Sequence, residues 1–150
     1  AGFIAVPLGG LLADRLAQRS LIGRFYALMI GLGLAGLLLV PMAWATSGAM
    51  VGLVLIGTTL GKGLFDGCIY AAMQDVVPPH ARATAVGMMT TCGFVGAGLA
   101  PLFVAAASER LGMAAALASL AALYGLAVAL LLLARRSTMA AVLANAEGRL

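Results

Sequence analysis

Five long apolar stretches, joined by loops of a few residues, limit what this chain can fold into. A bilayer core is crossed by about 20 apolar residues of helix, whose backbone polar groups are all satisfied within the segment. Read for that length, the first stretch is partial, Ala1 to about Ala13. The others run from about Phe25 to Ala45, Met50 to Val77, Thr84 to Ala107 and Met113 to Ala134. The sequence predicts an all-α fold, a polytopic transmembrane helix bundle over residues 1–136. Residues 137–150 form a cytoplasmic tail of weak amphipathic character, lying along the membrane surface or disordered. The chain opens inside an apolar segment without an initiator methionine or a signal peptide, so we expect a fragment of a longer protein.

Composition supports the membrane class. Hydrophobic residues make up 63% of the chain and charged residues 9%, against about 25% charged in a soluble domain. The 20 glycines let helices pack closely. The basic pI near 9.7 would suit a nucleic-acid partner, but the arginines fall in loops between spans, where topology accounts for them. No nucleic-acid partner is expected; the lipid bilayer is. Cys68 and Cys92 lie inside apolar runs, with no spacing that suggests a metal, and read as small buried residues. No metal-ligand cluster, nucleophile–base set or phosphate-binding glycine loop is present, so neither an enzyme nor a cofactor is expected.

The loops alternate in charge. The first holds Arg15, Arg19 and Arg24, the second ("TSG") none, and the third ("PPHAR") His80 and Arg82. In the fourth, Glu109 and Arg110 cancel, and Arg135 and Arg136 open the tail. Loops one and three and the tail are therefore expected on the cytoplasmic side. Trp44 and Tyr26 fit the two interfacial belts of span two.

Loop one reads "GGLLADRLAQRS", and it resembles the loop signature of the major facilitator superfamily of transporters. Gly10, Asp14, Arg15 and Arg19 match, while Ala17 stands where the family prefers glycine and Gln18 where it prefers arginine. The later stretch "DVVPPHARATAVGMMTTCGFVGAGLAP" is similar to the junction of helices ten and eleven in that superfamily, with Asp75 and the prolines closing one helix and Arg82 opening the next. The resemblance implies that the five spans are helices eight to twelve, part of the C-terminal six-helix repeat. The N-terminal half of the same chain is then the missing partner. It also makes Gly10, Asp14, Arg15 and Arg19 candidates for a cytoplasmic gate whose breaking accompanies opening. On physical grounds alone, Asp14 and Arg15 at a helix end can bond to each other and to helix termini. Gly87, Gly93, Gly96 and Gly98 smooth part of span four, and Pro101 offers it a bend.

Span three carries the costliest residues, in "LGKGLFDGCIY". Lys62 falls near the bilayer midplane, and Asp66 lies four residues on, one turn inward on the same face. With Thr59 and Tyr70 they form a polar stripe, flanked by Gly57–Gly61 and Gly63–Gly67 pairs that admit a neighbouring helix. A self-neutralising structural pair is one reading. The other is a solute and coupling-ion site, since transporters built from repeats bind near the midplane between them. Lys62 would attract an anionic group, Asp66 would then be freed to change protonation or to pair elsewhere, and Tyr70 and Thr59 would bond the solute.

The expectation is a secondary transporter of a small solute by alternating access. The helix ten–eleven stretch resembles the branch that takes up organic anions and sugar acids with protons or sodium, a symport. The alternatives are a multidrug-type exporter of the same superfamily or a non-transporting membrane assembly protein. Compact loops and the alanine- and glycine-rich composition suggest a bacterial inner membrane.

Overall fold

The computed structural model describes residues 2–20 and 22–147. The start of the first span at Ala1 and the end of the tail, 148–150, lie outside the described residues. Five α-helices follow in order: α1 (Gly2–Ala17), α2 (Gly23–Leu39), α3 (Gly48–Val76), α4 (Arg82–Leu111) and α5 (Met113–Glu147). Two 3-10 turns, Val40–Trp44 and Pro79–Ala81, extend α2 and precede α4. Among the described residues there is no strand. Four of the helical segments are long and apolar enough to cross a membrane: Gly23–Trp44, Gly48–Val76, Pro79–Leu111 and Met113–Ala144. The all-α transmembrane bundle read from the sequence is what forms.

The helix ends follow local chemistry. Pro41 cannot continue the α-helical bonding of α2, and the chain tightens into the 3-10 turn. Ser47 then caps α3, its hydroxyl oxygen accepting from the Met50 amide at 3.3 Å. Pro78 and Pro79 stop α3 as expected, and the residue before them, Val77, is extended. Gly112 closes α4 with φ +81°, a conformation that favours glycine.

The core is built on α3, with α1 alongside in parallel and α2 antiparallel. The two glycine pairs of α3 divide this work. Gly61 sits against Ala35 of α2, where an added Cβ would come within 2.5 Å of the Ala35 amide nitrogen. Gly63 and Gly67 sit against Ala5 and Val6 of α1. Backbones meet directly, so contact comes from many short dispersion pairs rather than from large side chains. One cluster gathers Ala13, Ala27, Leu28, Cys68 and Ala72 near one end of these three helices. A second, Leu39, Met42 and Val54, joins the other end to Leu117 and Tyr124 of α5.

α4 departs from the sequence reading. None of its described residues is buried, and nothing lies within 4 Å of a Cβ added at Gly87, Gly93, Gly96 or Gly98. The helix touches α5 along part of its length and barely meets α3. The glycine stripe is thus an open face in this chain. For the same reason Cys92 is exposed, against expectation, while Cys68 is buried and donates to the Leu64 and Phe65 carbonyls.

The tail also differs. α5 runs on without a break through 147, spanning 35 residues, about 52 Å at about 1.5 Å per residue. That exceeds a bilayer core of about 30 Å. Beyond Arg135 and Arg136 the helix continues; Thr138 is buried and donates to the Ala134 carbonyl of its own preceding turn at 3.0 Å.

Candidate functional site

Lys62 and Asp66 face each other along α3, Lys62 Nζ lying 2.6 Å from Asp66 Oδ2. The i, i+4 spacing alone permits this bond. Their side chains remain 53% and 42% exposed. The pair opens into a groove of about 450 Å³ between α3 and α4. Tyr70 lines the same groove from α3, and Thr90, Gly93 and Phe94 line it from α4. The four stripe residues do not all stay together. Thr59 lies outside the groove lining, near Gly2 of α1, and its hydroxyl donates to the Leu55 carbonyl at 2.7 Å. Thr58 is likewise turned back, onto the Val54 carbonyl. A threonine in a helix readily bonds its own backbone one turn earlier, and nothing in the one-dimensional spacing reports that choice.

Thr90 is a groove residue that sequence reading missed. It sits in a helix whose polar content is low, and only the approach of α4 to α3 identifies it. Pro101 adds a further acceptor nearby. Having no amide hydrogen, it deprives the carbonyl of Ala97, a groove-lining residue, of its helical partner.

At the opposite station of the bundle, three charges from three helices converge. Arg24, in the first turn of α2, donates through Nη1 to both carboxylate oxygens of Asp75, at 3.0 and 3.1 Å. Its Nη2 donates to Asp14 Oδ1 at 3.1 Å. Asp14 is therefore joined to Arg24 rather than to Arg15. Arg15 and Arg19 are exposed. The reason is geometric: Arg15 follows Asp14 directly, and adjacent residues on a helix point about 100° apart, whereas α2 returns antiparallel and presents Arg24 beside the ends of α1 and α3. Each of the three charges opposes the dipole of its own helix but suits its antiparallel neighbour. Arg24 had been legible only as a loop charge. A cation in a helix's first turn, with carboxylates in the last turns of two others, was the available signal.

Gly10 lies against α3, a Cβ there falling 3.7 Å from the Gly67 carbonyl oxygen. Arg82 secures the α3–α4 junction, donating to the carbonyls of Gln74 at 3.0 Å and Val77 at 3.4 Å. It thereby satisfies backbone acceptors left open at the end of α3. His80 is exposed. Among the described residues no group of histidines, cysteines and carboxylates is arranged to hold a metal ion.

Asp14, Arg24 and Asp75 also put loop one and the end of α3 at one end of the bundle, as the charge alternation requires. The family model of the Major Facilitator Superfamily matches residues 1–149. No curated protein and no solved structure matches the chain. An all-helical bundle with a charged pair at mid-span, an ion-paired loop between two of its helices and a family match over nearly its whole length leaves one assignment: the chain belongs to the Major Facilitator Superfamily of membrane transporters, as an integral multi-pass membrane protein.

Proposed function

We propose that this chain supplies helices eight to twelve, the C-terminal half, of a secondary transporter that moves a small solute by alternating access. The observation that carries the reading is the Lys62–Asp66 pair, bonded yet open to a groove between two helices. A solute anion can displace Asp66 from Lys62. Asp66, released from Lys62, would then be free to exchange a proton or to pair elsewhere. Exchange of one partner for another couples solute to ion, as uptake by proton symport requires. Tyr70 and Thr90 would bond the solute, and Thr59 would act from outside the groove by shaping the α1–α3 contact.

Loop one is the proposed cytoplasmic gate. Gly10 seats it against α3, Asp14 anchors it through Arg24, and Arg15 and Arg19 point outward to engage the N-terminal half of the same chain. Asp75 and Arg82 hold the helix ten–eleven junction against which that gate works. The open face of α4 supports a further helical partner, and the compact loops support a bacterial inner membrane.

The test is uptake by the full-length transporter. Lys62→Ala should abolish accumulation of an anionic solute while the protein still inserts in the membrane. Undiminished uptake would overturn the site.

A further inference from the structure

We propose that the groove selects an aromatic or similarly apolar monocarboxylate in preference to a polyhydroxylated sugar acid. This rests on the reading of Lys62 as the solute's anchor and adds the chemistry of the rest of the solute.

Among the described residues that line the groove, Lys62 is the sole basic one, and Asp66 already balances its charge. A single carboxylate taking the place of Asp66 keeps the site neutral once Asp66 is protonated. A dianion would leave one charge without a partner in this wall of the groove. The other titratable group lining the groove is Tyr70, on the same helix. α4 faces the pair with Met89, Thr90 and Phe94, which carry no charge.

Beyond the charged pair the lining is apolar. Phe65, Phe94 and the ring of Tyr70 offer aromatic faces, and Ile69 and Met89 fill between them. The remaining side-chain hydrogen-bonding groups are the Tyr70 and Thr90 hydroxyls. A sugar acid carries several hydroxyls, each needing a partner once water is removed, and this wall of the groove offers two side-chain hydroxyls and the Ala97 carbonyl against three aromatic rings. A ring needs none and gains by leaving water.

A second apolar space adjoins. Phe65, Ile69 and Met89 also line an open cleft of about 310 Å³ between α2, α3, α4 and α5, together with Phe25, Leu28 and Leu131. The wall between the two spaces is made of side chains with rotamer freedom, methionine the most adaptable. An apolar body held by its carboxylate at Lys62 therefore has room to extend in a direction where no polar group awaits it.

The experiment is uptake into proteoliposomes holding the full-length transporter, with radiolabelled benzoate, phenylacetate and gluconate as probes. Saturable uptake of an aromatic acid at least tenfold above gluconate is expected. Phe94 is 74% exposed, so its truncation removes no packed core. Phe94→Ala should raise the KM for the aromatic acid about tenfold through lost ring contact, and so lower the aromatic-to-gluconate ratio. Phe94→Tyr should restore the KM. Preference for gluconate, or an aromatic-to-gluconate ratio unmoved by Phe94→Ala, overturns the selectivity. If gluconate uptake is then still lost in Lys62→Ala, the anchoring site stands without the aromatic preference. If Lys62→Ala transports any of the three acids as well as the wild type, site and selectivity fall together.

Discussion

Arg24 grips Asp75 with a single terminal nitrogen shared between both carboxylate oxygens, at 3.0 and 3.1 Å, across 51 residues of sequence. Its other terminal nitrogen holds Asp14. One guanidinium thus ties together the ends of three helices. The fork geometry of arginine is what makes this possible; a lysine ammonium is a point charge.

Replacing Arg24 by alanine should leave two carboxylates in the last turns of α1 and α3, where the helix dipole is already negative. Charged hydrogen bonds contribute about 1.5–3 kcal/mol when well protected, and these are about a third exposed or more, so we expect a loss of about 1–2 kcal/mol. Asp75→Asn should cost more than Asp14→Asn, since Asp14 is 63% exposed and makes one bond to the arginine. Thermal unfolding in detergent ranks the three variants. The reverse order for the two aspartates would mean that this ion network does not set the stability of the helix ends.

The α2–α3 contact leaves no room for a side chain at Gly31. A Cβ there would lie 2.6 Å from the Phe65 amide nitrogen, and the backbone of a helix cannot step aside. Gly31→Ala should destabilise the bundle by about 1–3 kcal/mol, the usual penalty of overpacking. Gly125→Ala is the control: nothing lies within 4 Å, and helix propensity favours alanine by up to about 1 kcal/mol. Equal melting temperatures for the two variants would sink the close-approach account.

Arg82→Ala should free the Gln74 and Val77 carbonyls at the end of α3, at a cost of about 1 kcal/mol. The effect is local. Amide hydrogen exchange should quicken over the last turn of α3 and the start of α4, with the glycine-packed centre unmoved. Exchange that accelerates throughout would show that the junction supports the whole bundle.

Asp66→Asn should separate binding from coupling at the proposed site. The amide still leaves Lys62 available to an anion, so solute binding should persist within about threefold, a change of under 1 kcal/mol. Accumulation against a gradient should fall at least tenfold, and solute entry should no longer carry protons. Simultaneous recording of pH and labelled solute in proteoliposomes tests this. Proton entry that continues with the asparagine would move the coupling role away from Asp66.

Much of this was legible along the chain. The apolar spans, the alternation of loop charge and the proline stop after α3 each depend on a few neighbouring residues, and each was readable along the chain; the run of α5 on to 147 was not. So was the i, i+4 pairing of Lys62 with Asp66, because a helix fixes that distance by itself. The glycine pairs of α3 were readable as contact points, though not which helix each would meet. Arg24 was not readable as a hub, since its partners are 10 and 51 residues away. Thr59 was read into the polar stripe because spacing allowed it, and its hydroxyl instead bonds its own backbone.

The sequence by itself determined that the chain is a membrane helix bundle, which ends lie together, and that a charged pair sits at mid-span. These follow from hydropathy, local geometry and the cost of charge in lipid, all set by residues close in the chain. The tertiary structure decided which aspartate meets which arginine, that Thr90 and Phe94 of α4 face Lys62 and Asp66, and that the pair opens into a groove. Those outcomes depend on how α1, α2 and α4 are placed around α3, and that placement is fixed by contacts between residues far apart in sequence.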